Sequence, residues 1–447
     1  MARCSFSRLR CTIARVGHHA PVLTLLMVAC SEDGENAKPD AGCESRAVDA
    51  TRGAVDPALL WSHHVADGQG PSHYNVSLGF QGRYVFSGAP DGGGTMFAVD
   101  AGPSPLWKIV VAGGFLVAAS ATDDVFYGVR MNNGVGAAVH RFRAADAQPV
   151  WTYDAALQGF TFADVGLLMG GNSPVATTPD GHVLAVAANS ADKLAILFFG
   201  VESPTPLGVY RGEEPASVLG TIWLKLTPDG RECMYQADGR FQRVDVATQQ
   251  VVSSVQMPDV RAVSPDGTLL VRGSTNLLRA YRRIADSYDE QILVEYPQTI
   301  AEGTSIFPEA AAVAADNDTV VAVWSREDHR QLTVTAFSLS CGRNPIWAYT
   351  LANSEGRLQD LAAAVKISND SAWVAAGTWG GEDNSHPEFL LFESADPSEP
   401  RFVFDTDGSV LALDMTPDGS VIAGGTKATH TNIVGSGGGV FVVSTMQ

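Results

Sequence analysis

The chain has 447 residues, 45% of them hydrophobic, with 45 Gly, 23 Pro and a formal net charge of −19. That length and apolar content are ample for a buried core. The acidic balance excludes the basic footprint that nucleic-acid binding requires; it reads as a solvated acidic surface, with cation binding as the lesser alternative.

Residues 1–29 read as an export signal. Arg3, Arg8, Arg10 and Arg15, with no acid among them, precede an apolar stretch from Ala20 to Ala29. The stretch has the length of a signal-peptide core and is too short to span a bilayer. It ends in Leu26-Met27-Val28-Ala29-Cys30, which resembles the cleavage box of bacterial lipoproteins. The resemblance implies that Cys30 becomes the first mature residue and carries acyl chains. That places the protein at the bacterial cell envelope, periplasmic or surface-facing, held to the membrane by lipid alone. The alternative is an ordinary small buried cysteine behind an export signal. Residues 30–56 are rich in Glu, Asp, Gly, Ala and Pro and read as a disordered acidic tether. The other mature cysteines are Cys43, Cys233 and Cys341, so at most one bridge forms among them. Burial as free thiols is the expectation, with a Cys43–Cys341 bridge as the alternative.

Residues 57–447 carry a recurring turn. It reads Thr178-Pro179-Asp180-Gly181, Thr227-Pro228-Asp229-Gly230, Ser264-Pro265-Asp266-Gly267 and Thr416-Pro417-Asp418-Gly419. Pro presets the first turn position, Asp tolerates the second and Gly takes positive φ, so each copy closes a hairpin between two apolar runs. Weaker copies stand at Gln81-Gly82, Asp123-Asp124, Asn317-Asp318 and Asn369-Asp370. The mean spacing, about 48 residues, is that of a four-stranded propeller blade. The fold class is therefore all-β, an eight-bladed β-propeller, or seven-bladed if one weak copy is chance.

The strands follow in chain order. In the first blade they are Asn75 to Phe80, Arg83 to Gly88, Met96 to Asp100 and Leu106 to Val111. The second strands of later blades, such as Val183 to Ala188, Thr319 to Trp324 and Ala372 to Gly377, are continuously apolar, as strands buried on both faces are. A Pro-aliphatic-aromatic signal marks the start of outermost strands at Pro105-Leu106-Trp107, Pro149-Val150-Trp151 and Pro345-Ile346-Trp347. Weaker versions are Pro206-Leu207-Gly208 and Pro400-Arg401-Phe402. The last repeat supplies three strands, Val410 to Met415, Val421 to Gly425 and Val440 to Ser444. Its missing Leu-Trp strand occurs at Leu59-Leu60-Trp61-Ser62-His63. The N-terminal strand thus completes the C-terminal blade and closes the ring.

Propeller connectivity puts the tight Pro-Asp-Gly turns on one face. The other face receives the longer connections, at Ala89 to Gly94, Met131 to Gly136, Leu157 to Asn172, Glu213 to Gly220, Gln298 to Pro308, Arg326 to Gln331, Gly380 to Glu388 and Ala428 to Gly438. Long loops on a rigid scaffold are where binding residues concentrate. The binding candidates there are Asn132, Asn133, Glu213, Glu214, Glu327, Asp328, His329, Glu382, Asp383, His386 and His430. His329, His386 and His430 come from three neighbouring blades and could converge on a metal. None has a local ligand spacing, so no metal is assigned and scattered surface histidines are the expectation. The sequence holds no Gly-x-Ser-x-Gly elbow, His-Glu-x-x-His helix, Cys-x-x-Cys or Gly-x-x-x-x-Gly-Lys-Ser/Thr loop. No catalytic residue is assigned.

The segment from Arg83 through Ala98, Asp100 and Gly102 to Trp107 resembles the repeat of PQQ-like propellers, in which such a stretch docks each blade onto the next. The Ser/Thr-Pro-Asp-Gly turns resemble WD40-like propellers of the periplasmic TolB kind. Quinoprotein dehydrogenases typically carry adjacent cysteines beside their cofactor. None exist here, so no cofactor is expected. Lipid-anchored eight-bladed propellers of this type include an outer-membrane assembly factor that acts by binding partners. The resemblance implies a monomeric binding or scaffold module for a protein or glycan. The alternative is a lyase or hydrolase working in the central funnel, and a purely structural surface protein is a third reading.

Overall fold

The computed structural model describes residues 56–446 apart from 71, 91, 112, 132–135, 163–172, 216–222, 297–303, 329–330, 343, 352–361, 381–385 and 431–436. The expected signal, Cys30 and the expected tether up to residue 55 lie outside the described residues. The rest is an eight-bladed β-propeller of eight four-stranded antiparallel sheets. Blade 1 is β2 (Asn75–Gly79), β3 (Tyr84–Ala89), β4 (Gly93–Ala98) and β5 (Trp107–Ile109). The inner strands of blades 2 to 7 are β6 (Phe115–Ala119), β10 (Val175–Thr177), β14 (Trp223–Leu226), β18 (Val260–Val263), β22 (Ile306–Val313) and β26 (Ala362–Ile367). Blade 8 is β30 (Val410–Met415), β31 (Val421–Thr426) and β32 (Gly438–Ser444), completed by β1 (Ala58–Val65). Strand β1 runs antiparallel to β32 from Ala58 opposite Ser444 to Val65 opposite Gly438. β30 lies beside β2, so the ring closes.

All eight inner hairpins close at the expected turns, and the chemistry repeats. The Thr178 hydroxyl donates to Asp180 at 2.5 Å, and the Gly181 amide donates to the Thr178 carbonyl at 2.8 Å. The same bonds recur at Thr227, Ser264 and, in a weak copy, between Ser368 and Asp370. The glycine serves the neighbouring blade as well as the turn. At Gly419, φ is +71° and an added Cβ would stand 2.8 Å from the Trp373 ring of blade 7. A side chain there would be strained and would push the blades apart.

The core is a series of layers between successive blades. Phe86, Phe115, Phe126 and Phe142 fill the layer between blades 1 and 2, the last three each edge-on to Phe86. Trp61, Trp107 and Trp151, on outermost strands, hydrogen-bond across these seams. Trp61 donates to the Val99 carbonyl at 2.8 Å, Trp107 to Ala144 at 2.7 Å and Trp151 to Val201 at 2.9 Å. Each bond joins one blade to the next. Pro149 departs from the expected strand start. It lies within β9 (Asp146–Asp154), because the hairpin before it closes in two residues and extends the strand. A register shift accommodates it, and shifts also sit at Pro206 and Pro345. The aliphatic residue after each proline, Val150, Leu207 and Ile346, is exposed.

The cysteines correct one expectation. Cys233 is a buried free thiol, but Cys341 is disulfide-bonded, to a partner outside the described residues.

Candidate functional site

The face opposite the Pro-Asp-Gly turns is uneven. In blades 3, 4 and 5 the second and third strands join through two-residue turns, Ala191-Asp192, Asp238-Gly239 and Thr275-Asn276. Asp192, Gly239 and Asn276 adopt positive φ there. Blade 1 is also short, because Ala89 and Gly93 already belong to strands, which shrinks the expected Ala89 to Gly94 loop to three residues. The long connections between second and third strands are those of blade 2 and of blades 6, 7 and 8. The last three are contiguous on the ring and form the candidate site.

The expected residues distribute as follows. Asn132, Asn133, His329, Glu382 and Asp383 lie outside the described residues. Glu213 and Glu214 are not loop residues; they end strand β13 (Pro206–Pro215), which extends because Lys193 pairs opposite Pro215. Glu213 is exposed and accepts from Lys193 at 2.6 Å, and this pairing holds its carboxyl below the usual range. Glu214 is buried and accepts from the Gln242 amide. Glu327 and Asp328 are exposed on the blade 6 loop, with Asp328 held by a two-point bond from Arg326, each arm 2.6 Å. His386 is partly exposed.

His430 is buried, contrary to the surface position expected for it. Its Nδ1 donates to the Trp379 carbonyl at 2.9 Å, while the Trp379 indole donates to the His430 carbonyl at 2.8 Å. This reciprocal pair ties the root of the blade 7 loop to that of blade 8. Among the described residues, no three His, Cys, Asp or Glu side chains form a metal-ligating group.

Two ionisable residues in this nest carried no signal in the sequence reading. Glu388 is fully buried; its Oε1 stands 3.8 Å from His430 Nε2, and its Oε2 accepts from the Thr406 amide at 2.8 Å. Burial pushes its carboxyl up to about 8, against the Thr406 bond and aided by the charge of Asp405. Lys427 is also fully buried, with Nζ 3.8 Å from the centre of the Trp379 ring. Burial depresses its ammonium to about 7. Burial lowers His430 as well, with the Trp379 carbonyl, Asp405 and Asp407 opposing. Gly380 permits the packing: at φ +73°, an added Cβ would lie 2.4 Å from Glu388 Oε1 and 2.7 Å from His430 Cε1. Near neutral pH the nest therefore holds a protonated acid, a partly charged amine and a neutral imidazole. The reciprocal Trp379–His430 bonds fix where the loops leave the ring.

No family model matches the chain, and no curated protein matches it. A solved structure described as the Dos1 propeller is similar over 87% of this chain and 95% of that chain, with a TM-score of 0.56 and 11% sequence identity. At that identity the likeness shows the β-propeller fold alone.

Proposed function

We propose that this propeller is a binding or scaffold module, tethered to a bacterial membrane through Cys30, that holds a protein or glycan on the loops of blades 6 to 8. The observation that carries the reading is the reciprocal Trp379–His430 bond, which anchors two long loops to a rigid ring while Glu327, Asp328 and His386 stay at the surface. The tether reading is supported by the basic and apolar pattern before Cys30. The Trp107 and Trp151 seam bonds support a PQQ-like or WD40-like repeat, since they act as blade-docking residues.

The test is crosslinked capture from the native membrane, comparing the full chain with a variant neutralised at Glu327, Asp328, Glu382 and Asp383. A stoichiometric partner that disappears with the variant supports the reading. A partner set unchanged by the variant overturns the assignment of the face.

A further inference from the structure

The eight inner strands surround a central channel with a cavity of about 490 Å³. Its volume is that of a small-molecule site. The strands are in register, so equivalent positions form rings around the axis. Two residues before the first residue of each inner turn, blades 1, 2, 3, 5 and 6 carry Ser or Ala, among them Ser77 and Ala118. Blades 4, 7 and 8 carry Lys225, Lys366 and Asp414 at the same level, and Arg261 of blade 5 joins the lining one residue further from the turn.

The charge of this lining is inverted relative to the protein. The chain has 30 basic and 49 acidic residues, yet among the described residues the channel wall has three cations and a single carboxylate. Asp414 is already committed: its Oδ1 lies 3.5 Å from Lys366, and its Oδ2 accepts from the Leu78 amide at 2.8 Å. Lys225 reaches the next blade, donating to the Val263 carbonyl at 2.5 Å. Arg261 Nε is buried with no hydrogen-bond partner among the described residues. Taking cations out of water onto a narrow channel wall is unfavourable without counter-charge. The small side chains elsewhere in the ring leave the space in which counter-charge fits.

We propose that the channel binds a small ligand through an anionic oxygen group, a carboxylate or a phosphate, gripped at one level by Lys225 and Lys366 with Arg261 as a third donor. The ligand enters from the Pro-Asp-Gly face. A second cavity of about 540 Å³ there is lined by Pro179, Pro228, Pro265 and Pro417 and shares walls with the channel. Beside Asp414, that lining holds a second acid, Asp266. It tends to raise the proton affinity of Lys225, while burial and the charge of Lys366 outweigh it and depress the Lys225 ammonium to about 8. A bound anion restores the charged form.

Titration calorimetry on the full chain, with inorganic phosphate and citrate in separate arms at matched ionic strength, tests the site. Binding is expected in at least one arm, and the stronger arm identifies the oxygen group. Lys225→Met and Lys366→Met should each weaken it about tenfold or more, while Lys193→Met, far out on blade 3, leaves it unchanged. No binding in either arm, or equal binding by the channel variants, overturns the proposal. Should Lys225→Met fail to fold, acetylation of Lys225 in the unaltered chain at pH 8 supplies the second measurement. Protection of that one lysine by the binding anion supports the site, and an unchanged rate overturns it.

Discussion

The indole of Trp61 donates to the carbonyl of Val99 at 2.8 Å, joining the strand that completes the last blade to the first blade. The ring is sealed there by one strand and one side chain, and Trp61 packs on Phe97 with ring centroids 5.4 Å apart. Trp61→Phe should cost about 1 kcal/mol, for the lost hydrogen bond. Trp61→Ala should cost about 3–5 kcal/mol, because the buried ring goes too. Denaturant midpoints separate the two. Deleting Asp56 to His64 should expose the β32 edge and cause aggregation on size-exclusion chromatography. A soluble truncation of equal stability would sink the closure model.

His73 is buried, with Nδ1 2.6 Å from the Ser87 hydroxyl, and burial depresses its imidazole to about 3. The unfolded chain binds its proton near pH 6.5, well before the folded chain does. The stability His73 contributes is therefore complete above pH 6.5 and is lost as pH falls toward 3. His73→Asn, which keeps a partner for Ser87, should gain on the parent by roughly 2–3 kcal/mol between pH 6.5 and 4.5. Parallel thermal melts at the two pH values measure the difference.

Glu388 gives the opposite slope. Its carboxyl titrates at about 8 in the fold against 4.5 in the unfolded chain, so its contribution is full below pH 4.5 and is lost as pH rises to 8. Glu388→Gln keeps the neutral shape. It should match the parent at pH 4.5 and exceed it by roughly 3–5 kcal/mol at pH 9. Equal stability of the two chains at pH 9 would show that Glu388 ionises freely. Lys427 opposes this trend only above pH 7, so the comparison with the Gln variant isolates the acid.

Cys233 is fully buried, and burial pushes its thiol far above the ordinary range. An aromatic disulfide reagent should leave it unmodified in the folded chain and label it at the rate of global unfolding. Labelling within seconds under native conditions would contradict its place in the core between blades 3 and 4.

The architecture was legible because turn chemistry is local. Thr416-Pro417-Asp418-Gly419 states its own geometry, and counting such turns gives the blade number. The closing strand was legible because Trp61 repeats the outer-strand pattern. The site was less so. Glu327 and His386 are readable as loop residues, but nothing near Glu388 or Lys427 in sequence signals that they are buried. Their burial depends on two loop roots from different blades packing around Trp379. Glu213 and Glu214 were misplaced for a related reason: strand β13 is prolonged by its pairing with β12 (Lys193–Gly200), a long-range effect that local propensity does not encode.

Pairing Ala58 with Ser444 also sets an order of events in time. Strand β1 precedes the blades in sequence and has no partner until β32 is made. Blades 1 to 7 can assemble one upon another as they appear, but the backbone of β1 must wait for β32. The closing step is a non-local pairing that waits on every blade between the two strands. A chain cleaved before Gly438 therefore leaves the β1 and β31 edges without β32 between them, so an incomplete ring exposes backbone that the complete ring hides.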